Sequence, residues 1–440
     1  MHRRGVLTGI ILATLQGAAC DGCDGCARVA PLSTTEPPPS SIVVLDAPRE
    51  GEGERKGTGW YPNVEVDASS RLHVAWVDAD PGDVRYAVTV PGGSALEGDV
   101  ITVDAQGAVG SFLRLALLPG GAPVLSYARQ DTQIFRFAWR PSDRIVMKAA
   151  GADVDVAPFP HLPTATTSGG PIALLAGFVG EEVGFGDQVG RGSALGVDRA
   201  GRIVLPYYSA DDRLRLARRP TDVAAFSVDS VGVLEKRDLD PFARSSNRVV
   251  GDVVVLDDGT VVVAYAHDVV TDARLRVAVL APAAARATVI EDNRGDTVTI
   301  DGLQARLFPS VVDGRVVVDV VAHDKTAKAV IRRRVDVASA AFLPDRERLC
   351  DVEGITVAAR HADGWFVLAR VGGDGGGVFL YVVESVAVDD GEHRLEVRRI
   401  RLGGGARQLD SWLDLAVRKD GRPAAVWFDE EEKSLKLYAP

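Results

Sequence analysis

A chain-reversal signal recurs along this 440-residue sequence, and it constrains the fold more than any other feature. Asp-Gly and Gly-Gly pairs supply the positive φ angles that a tight hairpin turn demands. The signal, or a close variant of it, occurs at Ser69-Ser70, Gly120-Gly121, Ala200-Gly201, Asp258-Gly259, Asp313-Gly314, Asp363-Gly364 and Asp420-Gly421. The intervals are about 50 to 58 residues with one gap of about 80, which is the range of a four-stranded propeller blade plus its loops.

The segments after these turns are apolar or alternating and often end in an aromatic residue, as in Leu72 to Trp76 and Val261 to Tyr265. Such segments are typical of strands, and the aromatics suit packing between stacked sheets. The sequence therefore predicts an all-β fold, a seven-bladed β-propeller of four-stranded antiparallel blades with strands a to d. Eight blades, or six plus an insertion, are the alternatives. Gly169-Gly170 leaves only about 31 residues before Gly201, so residues 151–190 are interpreted as an insertion in a d–a connection.

The two ends of the folded region predict ring closure. The last unit holds strands near Trp412 to Val417, Ala424 to Phe428 and Leu435 to Tyr438, and the sequence then stops at Pro440. Ile42 to Leu45 form a lone apolar segment before the first unit. We expect this segment to supply the outer strand of the last blade, which removes open sheet edges.

The repeat Pro62 to Ala87 carries a proline, an apolar run, a turn, an apolar run with an aromatic residue and a final apolar run, and Pro309 to Val330 follows the same order without the aromatic residue. This pattern resembles propeller repeats of the sialidase-like superfamily and implies their fold. The S-x-D-x-G-x-T-W Asp-box of that superfamily is missing from the sequence. No arginine triad with a tyrosine nucleophile can be placed, so the resemblance does not imply sialidase activity.

The N-terminus is interpreted as an export signal over residues 1–19. Arg3 and Arg4 precede an apolar run that is too short for a membrane span, and small residues lead to Cys20. Small residues directly before a cysteine resemble a bacterial lipobox, although Gly17 stands where a leucine-like residue is typical. The resemblance implies that Cys20 is lipidated. The protein would then be exported and anchored to a bacterial membrane through this lipid, in the periplasm or at the cell surface.

Residues 20–41 are predicted to be a cysteine-rich start and a Pro/Ser/Thr linker with no reason to pack, and residues 42–440 the propeller. Cys20, Cys23 and Cys26 have the C-x2-C-x2-C spacing of iron–sulfur sites. No fourth ligand lies nearby, and export favours an oxidising setting, so lipidation is the preferred interpretation. The pairing of Cys23, Cys26 and Cys350 stays open.

The net charge of −11 argues against nucleic acid as a partner, because a phosphate backbone requires a clustered basic face. We expect a monomer that binds a protein or a glycan at the cell envelope.

The b–c turns and d–a connections share one rim of a propeller, and the candidate sites were sought there. Asp78, Asp80 and Asp83 lie in one b–c turn and resemble a loose calcium loop. Calcium is the cofactor that this turn predicts. Aspartate also stabilises turns without any metal, which is the competing explanation.

Two histidine-aspartate pairs follow strand b in neighbouring repeats, and several arginines fall in d–a connections. A carboxylate-held histidine can act as a base or ligand, whereas the simpler explanation is a repeated turn cap. Arginines could pair with the carboxylates of an acidic glycan. The candidates are His267, Asp268, His323, Asp324, Arg294, Arg244 and Arg407.

No catalytic fingerprint stands in a fitting context. The leading hypothesis is an exported, lipid-anchored binding or scaffold protein at the cell envelope. The alternative is a glycan-active hydrolase or lyase that uses the acidic, arginine-lined rim. A purely structural partner of another envelope protein would instead show a large exposed apolar patch.

Overall fold

The computed structural model describes most of the chain from Thr34 onward. The described residues are 34–38, 41–47, 57–106, 110–129, 134–140, 172–175, 178–185, 193–208, 214–219, 227–235, 249–267, 274–282, 284, 286–291, 305–324, 326–372, 376–387, 393–404 and 413–440.

The described residues form two short N-terminal strands and then seven consecutive sheets, which we number blades 1 to 7. The N-terminal strands are β1 (Thr34–Thr35) and β2 (Ile42–Asp46). Blade 1 contains β3 (Thr58–Val66), β4 (Leu72–Asp78), β5 (Asp83–Val88) and β6 (Ile101–Asp104). Blade 2 contains β7 (Ser111–Leu117), β8 (Pro123–Arg129), β9 (Ile134–Trp139), β10 (Ile172–Ala173) and β11 (Val179–Phe185). Blade 3 contains β12 (Gly196–Val197), β13 (Ile203–Tyr208), β14 (Leu214–Arg219) and β15 (Ser227–Glu235). Blades 4 and 5 contain β16 (Val249–Val255), β17 (Val261–His267), β18 (Arg274–Leu280), β19 (Thr288–Glu291); β20 (Arg306–Val312), β21 (Arg315–Asp324), β22 (Ala329–Asp336), β23 (Ala341–Asp351). Blades 6 and 7 contain β24 (Ile355–His361), β25 (Gly364–Val371), β26 (Gly377–Ala387), β27 (His393–Gly404); β28 (Leu413–Val417), β29 (Pro423–Asp429), β30 (Ser434–Tyr438).

Within each blade, neighbouring strands pair antiparallel in chain order, except that β11 lies between β9 and β10 in blade 2. The first strand of every blade lies at one edge of its sheet. These seven first strands surround the centre of the molecule. The architecture is a seven-bladed β-propeller, which confirms the fold predicted from the turn signals. The turn residues also behave as expected: Gly121 and Gly421 have φ of 81° and 79°, and the space around a Cβ at either position is empty.

The cores lie between blades, where the faces of neighbouring sheets meet. The core between blades 7 and 1 joins Val64 and Trp76 to Val426 and Leu435. The predicted strand-end aromatics Trp76, Tyr127, Tyr265 and Trp427 are fully buried in such cores. Their role in packing one blade against the next is therefore confirmed.

Ring closure follows the prediction. Strand β2 pairs antiparallel with β30, with Ile42 opposite Tyr438 and Val43 opposite Leu437. The Asp46 Oδ2 atom also accepts hydrogen bonds from Thr58 Oγ1 at 2.6 Å and from Trp76 Nε1 at 3.0 Å. Because Thr58 and Trp76 belong to blade 1, this strand joins the last blade to the first.

The predicted insertion of residues 151–190 differs from the structure in one respect. Strand β11 lies within it and pairs with β9 as the fourth strand of blade 2. The long connection therefore precedes strand d and joins strands c and d, whereas a d–a connection was expected. Spacing alone missed this strand because the extra residues separate it from the rest of its blade.

The N-terminal linker also differs from the expectation that it would not pack. Strand β1 adds in parallel to the outer strand β27 of blade 6, with Thr34 opposite Arg399. Arg399 donates to Thr34 Oγ1 from Nε at 2.9 Å and from Nη2 at 2.7 Å. The open edge of a long outer strand gives even a short segment a place to pair. Across the described ranges, no helix has the length and apolar character needed to cross a membrane.

Candidate functional site

A large cavity of about 800 Å³ runs along the axis of the propeller. The first strands of all seven blades line it, and it opens among a–b turns, where Asp67, Ser69, Arg71, Pro119 and Gly121 surround the mouth. The sequence predicted a site at the opposite rim. A much smaller cavity of about 20 Å³ lies toward that rim and shares Asn63, Arg114 and Arg306 with the large one.

A ring of polar side chains, which we call the polar belt, crosses the channel between these two cavities. It consists of Asn63, Arg114, Asp252, Arg306 and Asp414, each from the first strand of a different blade. These residues interrupt otherwise apolar strands, so each polar group requires a partner.

In blades 1 and 2 the belt side chains donate to backbone carbonyls of the following blades. Asn63 Nδ2 donates to the Leu113 carbonyl at 2.8 Å. Arg114 Nε donates to the Ser193 carbonyl at 3.0 Å, and its Nη2 to the Gly251 carbonyl at 3.4 Å. The belt therefore ties blades 1 to 4 together around the axis.

The two aspartates of the belt have both carboxylate oxygens occupied. Asp252 accepts the backbone N–H groups of Leu307 and of Val253, each at 2.8 Å. Asp414 accepts the Val64 N–H at 3.0 Å with one oxygen and pairs with Arg306 through the other. These bonds link blade 4 to blade 5, blade 5 to blade 7, and blade 7 to blade 1.

One step toward the mouth, a second tier contains a single charged residue. This tier consists of the residue two positions after the belt residue in blades 1, 2, 4, 5 and 7 and of the equivalent residue in blades 3 and 6. Its members all line the large cavity: Glu65, Ala116, Gly196, Val254, Phe308, Ala359 and Ala416. Glu65 therefore stands where most of the other blades have a small residue. Among the described residues, no hydrogen bond or ion pair reaches its carboxyl.

The surroundings of Glu65 disfavour its charged form. Burial inside the channel is the largest cause, and the Asp414 and Asp252 carboxylates add to it, so the pKa of Glu65 rises to about 8 despite the opposing charge of Arg306. Burial likewise raises the pKa of Asp252 and lowers the pKa of Arg114 to about 10. Burial alone would lower the pKa of Arg306, but the carboxylates of Asp414, Asp252 and Glu65 raise it.

The charged groups at the mouth pair with one another. Asp67 is buried and accepts the Arg71 Nε at 2.7 Å. Burial alone would raise the pKa of Asp67, but hydrogen bonds from Arg71, Ser69 and His73 lower it to about 2. On the far side, Arg360 donates to Asp319 at 3.0 Å. The charged residues at the mouth and in the polar belt are all hydrogen-bonded or ion-paired. Among the described residues of the channel wall, Glu65 is the ionisable group without such a bond.

The predicted calcium ligands share one turn but have protein partners. The Asp78 carboxylate lies 3.0 Å from Arg85 Nη2, and the Asp83 carboxylate lies 3.7 Å from the same nitrogen. Asp80 accepts the Gly57 N–H at 3.4 Å. In the described part of the chain, no three His, Cys, Asp or Glu residues form a group that could hold a metal ion. A calcium site in this turn stays a prediction.

The histidine-aspartate pair of blade 5 is built into the blade. His323 is buried, and its Nε2 lies 2.9 Å from the Val352 carbonyl. Asp324 is fully buried, accepts the N–H groups of Thr326 and Ala327, and pairs with Arg346. These contacts account for the pair as a turn cap, and a ligand role for it stays a prediction.

The remaining candidates yield little structural information. His267 ends β17 opposite Arg274. Cys20, Asp268, Arg244, Arg294 and Arg407 lie outside the described residues. Cys350 is a buried free thiol whose pKa burial raises to about 12.

The sequence-based prediction did not include the belt or Glu65, because its candidates were residues of turns and connections and not of first strands. A signal does exist in the sequence. In four blades the belt residue lies seven positions before the second residue of the a–b turn signal: Asn63, Arg114, Asp252 and Asp414. In blade 5, Arg306 lies eight positions before the second residue of its turn signal. Aligning the repeats on that turn reveals a polar position in four of the seven first strands, with Arg306 one residue earlier in a fifth and Glu65 two residues after Asn63.

The chain matches no protein-family profile and no curated protein. Among solved structures, the polysaccharide lyase Uly1 is similar at 10% identity and a TM-score of 0.48, over 93% of this chain and 95% of the lyase. A lectin from Burkholderia pseudomallei is similar at 12% identity and a TM-score of 0.43, over 84% of this chain and 96% of the lectin. The phage phi92 endosialidase is similar at 10% identity and a TM-score of 0.37, over 87% and 74% of the two chains. Similarity at this level does not extend to activity.

Proposed function

We propose that this protein is an exported binding protein that holds a small, hydroxyl-bearing ligand of carbohydrate type in its central channel. A volume of about 800 Å³ is typical of a ligand site. The first strand of each blade pairs on one side only, so its other edge presents backbone N–H and C=O groups toward the axis. Alternating donors and acceptors on a ring of strand edges suit a ligand with many hydroxyl groups.

The observation that carries this proposal is the Glu65 carboxyl. It lies in a tier of mostly small residues, inside a cavity, without a hydrogen-bond partner among the described residues. A partly buried polar group without a partner is costly unless something satisfies it. A ligand hydroxyl or other polar group at this position would do so.

Catalysis on a glycan is the second candidate, because a carboxyl that is protonated at neutral pH can act as a general acid. A glycosidase of the usual kind requires a second carboxylate that can act as a base or nucleophile. Asp252 and Asp414 are the nearest candidates, but protein donors occupy both oxygens of each. The geometry therefore favours binding over hydrolysis.

The test is binding of oligosaccharides to the purified protein, by glycan array and then by calorimetry. We expect Glu65→Ala to weaken binding at least about tenfold, which corresponds to about 1.4 kcal/mol. Glu353→Ala is the matched control, because Glu353 is exposed between β23 and β24, away from the mouth of the large cavity. Equal loss in both variants, or no binding of any glycan by the wild-type protein, would contradict the proposal. Release of new reducing ends or unsaturated products from a bound glycan would instead support the catalytic candidate.

We further propose that the protein reaches the cell envelope through residues 1–19 and a lipid on Cys20. The supporting observations are the basic start, the short apolar run and the small residues before the cysteine. Cell fractionation with incorporation of a labelled fatty acid tests this proposal. The wild-type protein should fractionate with membranes and carry the label, whereas Cys20→Ala should lose both. A labelled Cys20→Ala variant would contradict lipidation at this residue.

A further inference from the structure

We infer that the ligand of the central channel carries one positive charge, an ammonium group on a hydroxyl-bearing frame such as an amino sugar, and that this group pairs with Glu65. The inference rests on the proposed function of the channel and specifies the class of its ligand. Two features support this inference. The first is the balance of charged side chains around the channel, and the second is the set of hydrogen bonds that the three carboxyls accept.

The belt and the second tier together contain three acidic and two basic side chains. The acids are Glu65, Asp252 and Asp414, and the bases are Arg114 and Arg306. With every group ionised, these residues carry three negative charges against two positive ones, a net charge of minus one. An enclosed surplus charge is costly without a counter-charge, so a ligand with one positive charge complements the channel.

The hydrogen bonds locate the surplus charge on Glu65. Asp252 accepts two backbone N–H groups, and Asp414 accepts one and pairs with Arg306. Protein donors therefore already occupy both oxygens of each aspartate. Glu65 receives no such donor within the described part of the protein. A cationic group of the ligand would therefore form its ion pair with the Glu65 carboxylate.

The other charged groups around Glu65 are already engaged. On its own strand, Asp67 is bonded by Arg71. On the neighbouring strand, His73 is opposite Glu65 in register, but its Nδ1 lies 2.5 Å from Tyr86 Oη and its Nε2 lies 3.4 Å from Asp67. From the other first strands, Arg306, Asp414, Asp252 and Arg114 belong to the polar belt. None of these groups is positioned as a dedicated cation for Glu65 among the described residues.

A proton competes with the ligand for this carboxyl. Because the pKa of Glu65 is raised to about 8, the carboxyl holds a proton at neutral pH when the channel has no other cation. An ammonium ligand must displace that proton. While the free ligand's amine is itself fully protonated, binding should therefore release close to one proton, and affinity should rise with pH by up to about tenfold per pH unit. The rise should level off at the lower of two pKa values, that of Glu65 or that of the ligand's amine.

The experiment compares glucosamine oligomers that have free amines with their N-acetylated counterparts, which keep the hydroxyl frame and lose the charge. Calorimetry between about pH 5 and 6, where the amines of the free ligand are still protonated, is repeated in buffers of different ionisation enthalpy, which counts the protons released. We expect the amine form to bind the wild-type protein at least about tenfold more tightly than the acetylated form. Glu65→Gln should lose this preference and the proton release, while Glu353→Gln should keep both.

The outcomes separate the inference from the proposed function. If both forms bind equally and no proton is released, the channel binds sugars but the cationic ligand class is wrong. If the amine form is preferred and Glu65→Gln keeps that preference, the charge is recognised elsewhere and the inference is overturned. If neither these nor other glycans bind, the proposed function itself fails. The proton count on the wild-type protein needs no variant, so a misfolded Glu65→Gln would not prevent a decision.

Discussion

A repeat fold gives each residue structural counterparts in the other blades, and comparing them separates shared structural roles from individual ones. Aspartates at the end of strand b show the shared kind. Asp324 accepts the N–H groups two and three residues later, and Asp429 does the same with Glu431 and Glu432. Glu65 shows the individual kind, because its counterparts Ala116, Gly196, Ala359 and Ala416 have no charge.

At Glu65, we predict that the free energy of unfolding depends on pH. Its pKa is raised from 4.5 to about 8, so the folded state binds more protons than the unfolded state between these values. Stability contributed by this residue is therefore complete below about pH 4.5 and falls as pH rises to about 8. Glu65→Gln should remove that fall and be more stable than the wild type at pH 9 by on the order of 2 kcal/mol, reduced from the full shift because the cavity is open to water.

Urea unfolding at pH 5.5, 7 and 9 measures this difference. Glu353→Gln removes a carboxylate that is exposed and paired with Lys328 at 3.0 Å, so its effect should not grow with pH. A difference between Glu65→Gln and the wild type that stays constant across the three pH values would show that Glu65 titrates normally.

At Asp324, we predict a loss of stability without a loss of binding. Removing this fully buried carboxylate by Asp324→Ala leaves the N–H groups of Thr326 and Ala327 without their acceptor and deprives Arg346 of its partner. The expected cost is about 2–4 kcal/mol. Thermal unfolding measures the cost, and calorimetry with a channel ligand at a temperature where the variant is folded should give an unchanged affinity. A stable variant with weakened binding would restore Asp324 as a ligand residue.

At the scale of strands, local signals predicted most elements and long-range contacts explain the failures. The turns and second strands were predictable because hairpins depend on neighbouring residues, as at Gly121 and in the run Leu72 to Trp76. The pairing of the belt residues was not predictable, because Arg306 contacts Asp414 across 108 positions and Asp414 contacts Val64 across 350. No local pattern reports which strands will face each other around an axis.

The contact between strands β20 and β28 gives a prediction at this scale. Asp414→Ala should destabilise the protein by about 3 kcal/mol, because it leaves the Arg306 charge without its partner inside the channel. Arg306→Ala with Asp414→Ala should cost less than the sum of the single changes, with a coupling of about 1–3 kcal/mol. Urea unfolding of the four proteins of the cycle provides the measurement. Additive effects would mean that the pair does not link the two strands energetically.

At the scale of the whole molecule, the propeller is a ring whose seam lies between blades 7 and 1. Each blade packs mainly on its neighbours, so an open ring exposes two apolar faces at once. Strand β2 holds the seam in three ways: it pairs with β30, buries Leu45 in the core between the blades, and accepts hydrogen bonds from blade 1 through Asp46. A segment of five residues therefore controls the stability of the entire ring.

Two truncations test this control. A protein that begins at residue 41 keeps the seam and should unfold at nearly the same temperature as the full chain, whereas one that begins at residue 47 should unfold at least about 5 °C lower and less cooperatively. Strand β2 contributes its backbone pairs with β30, the apolar side chains of Ile42, Val43 and Leu45, and the hydrogen bonds of Asp46. A synthetic peptide of residues 41–47 contains all of these groups, so it should bind the shorter protein and raise its transition temperature. The same peptide with Leu45→Asp should not, since it would place a charge in the apolar core. Equal transition temperatures for the two truncated proteins would mean that the contacts of β3 with β28 and β29 hold the seam without this strand.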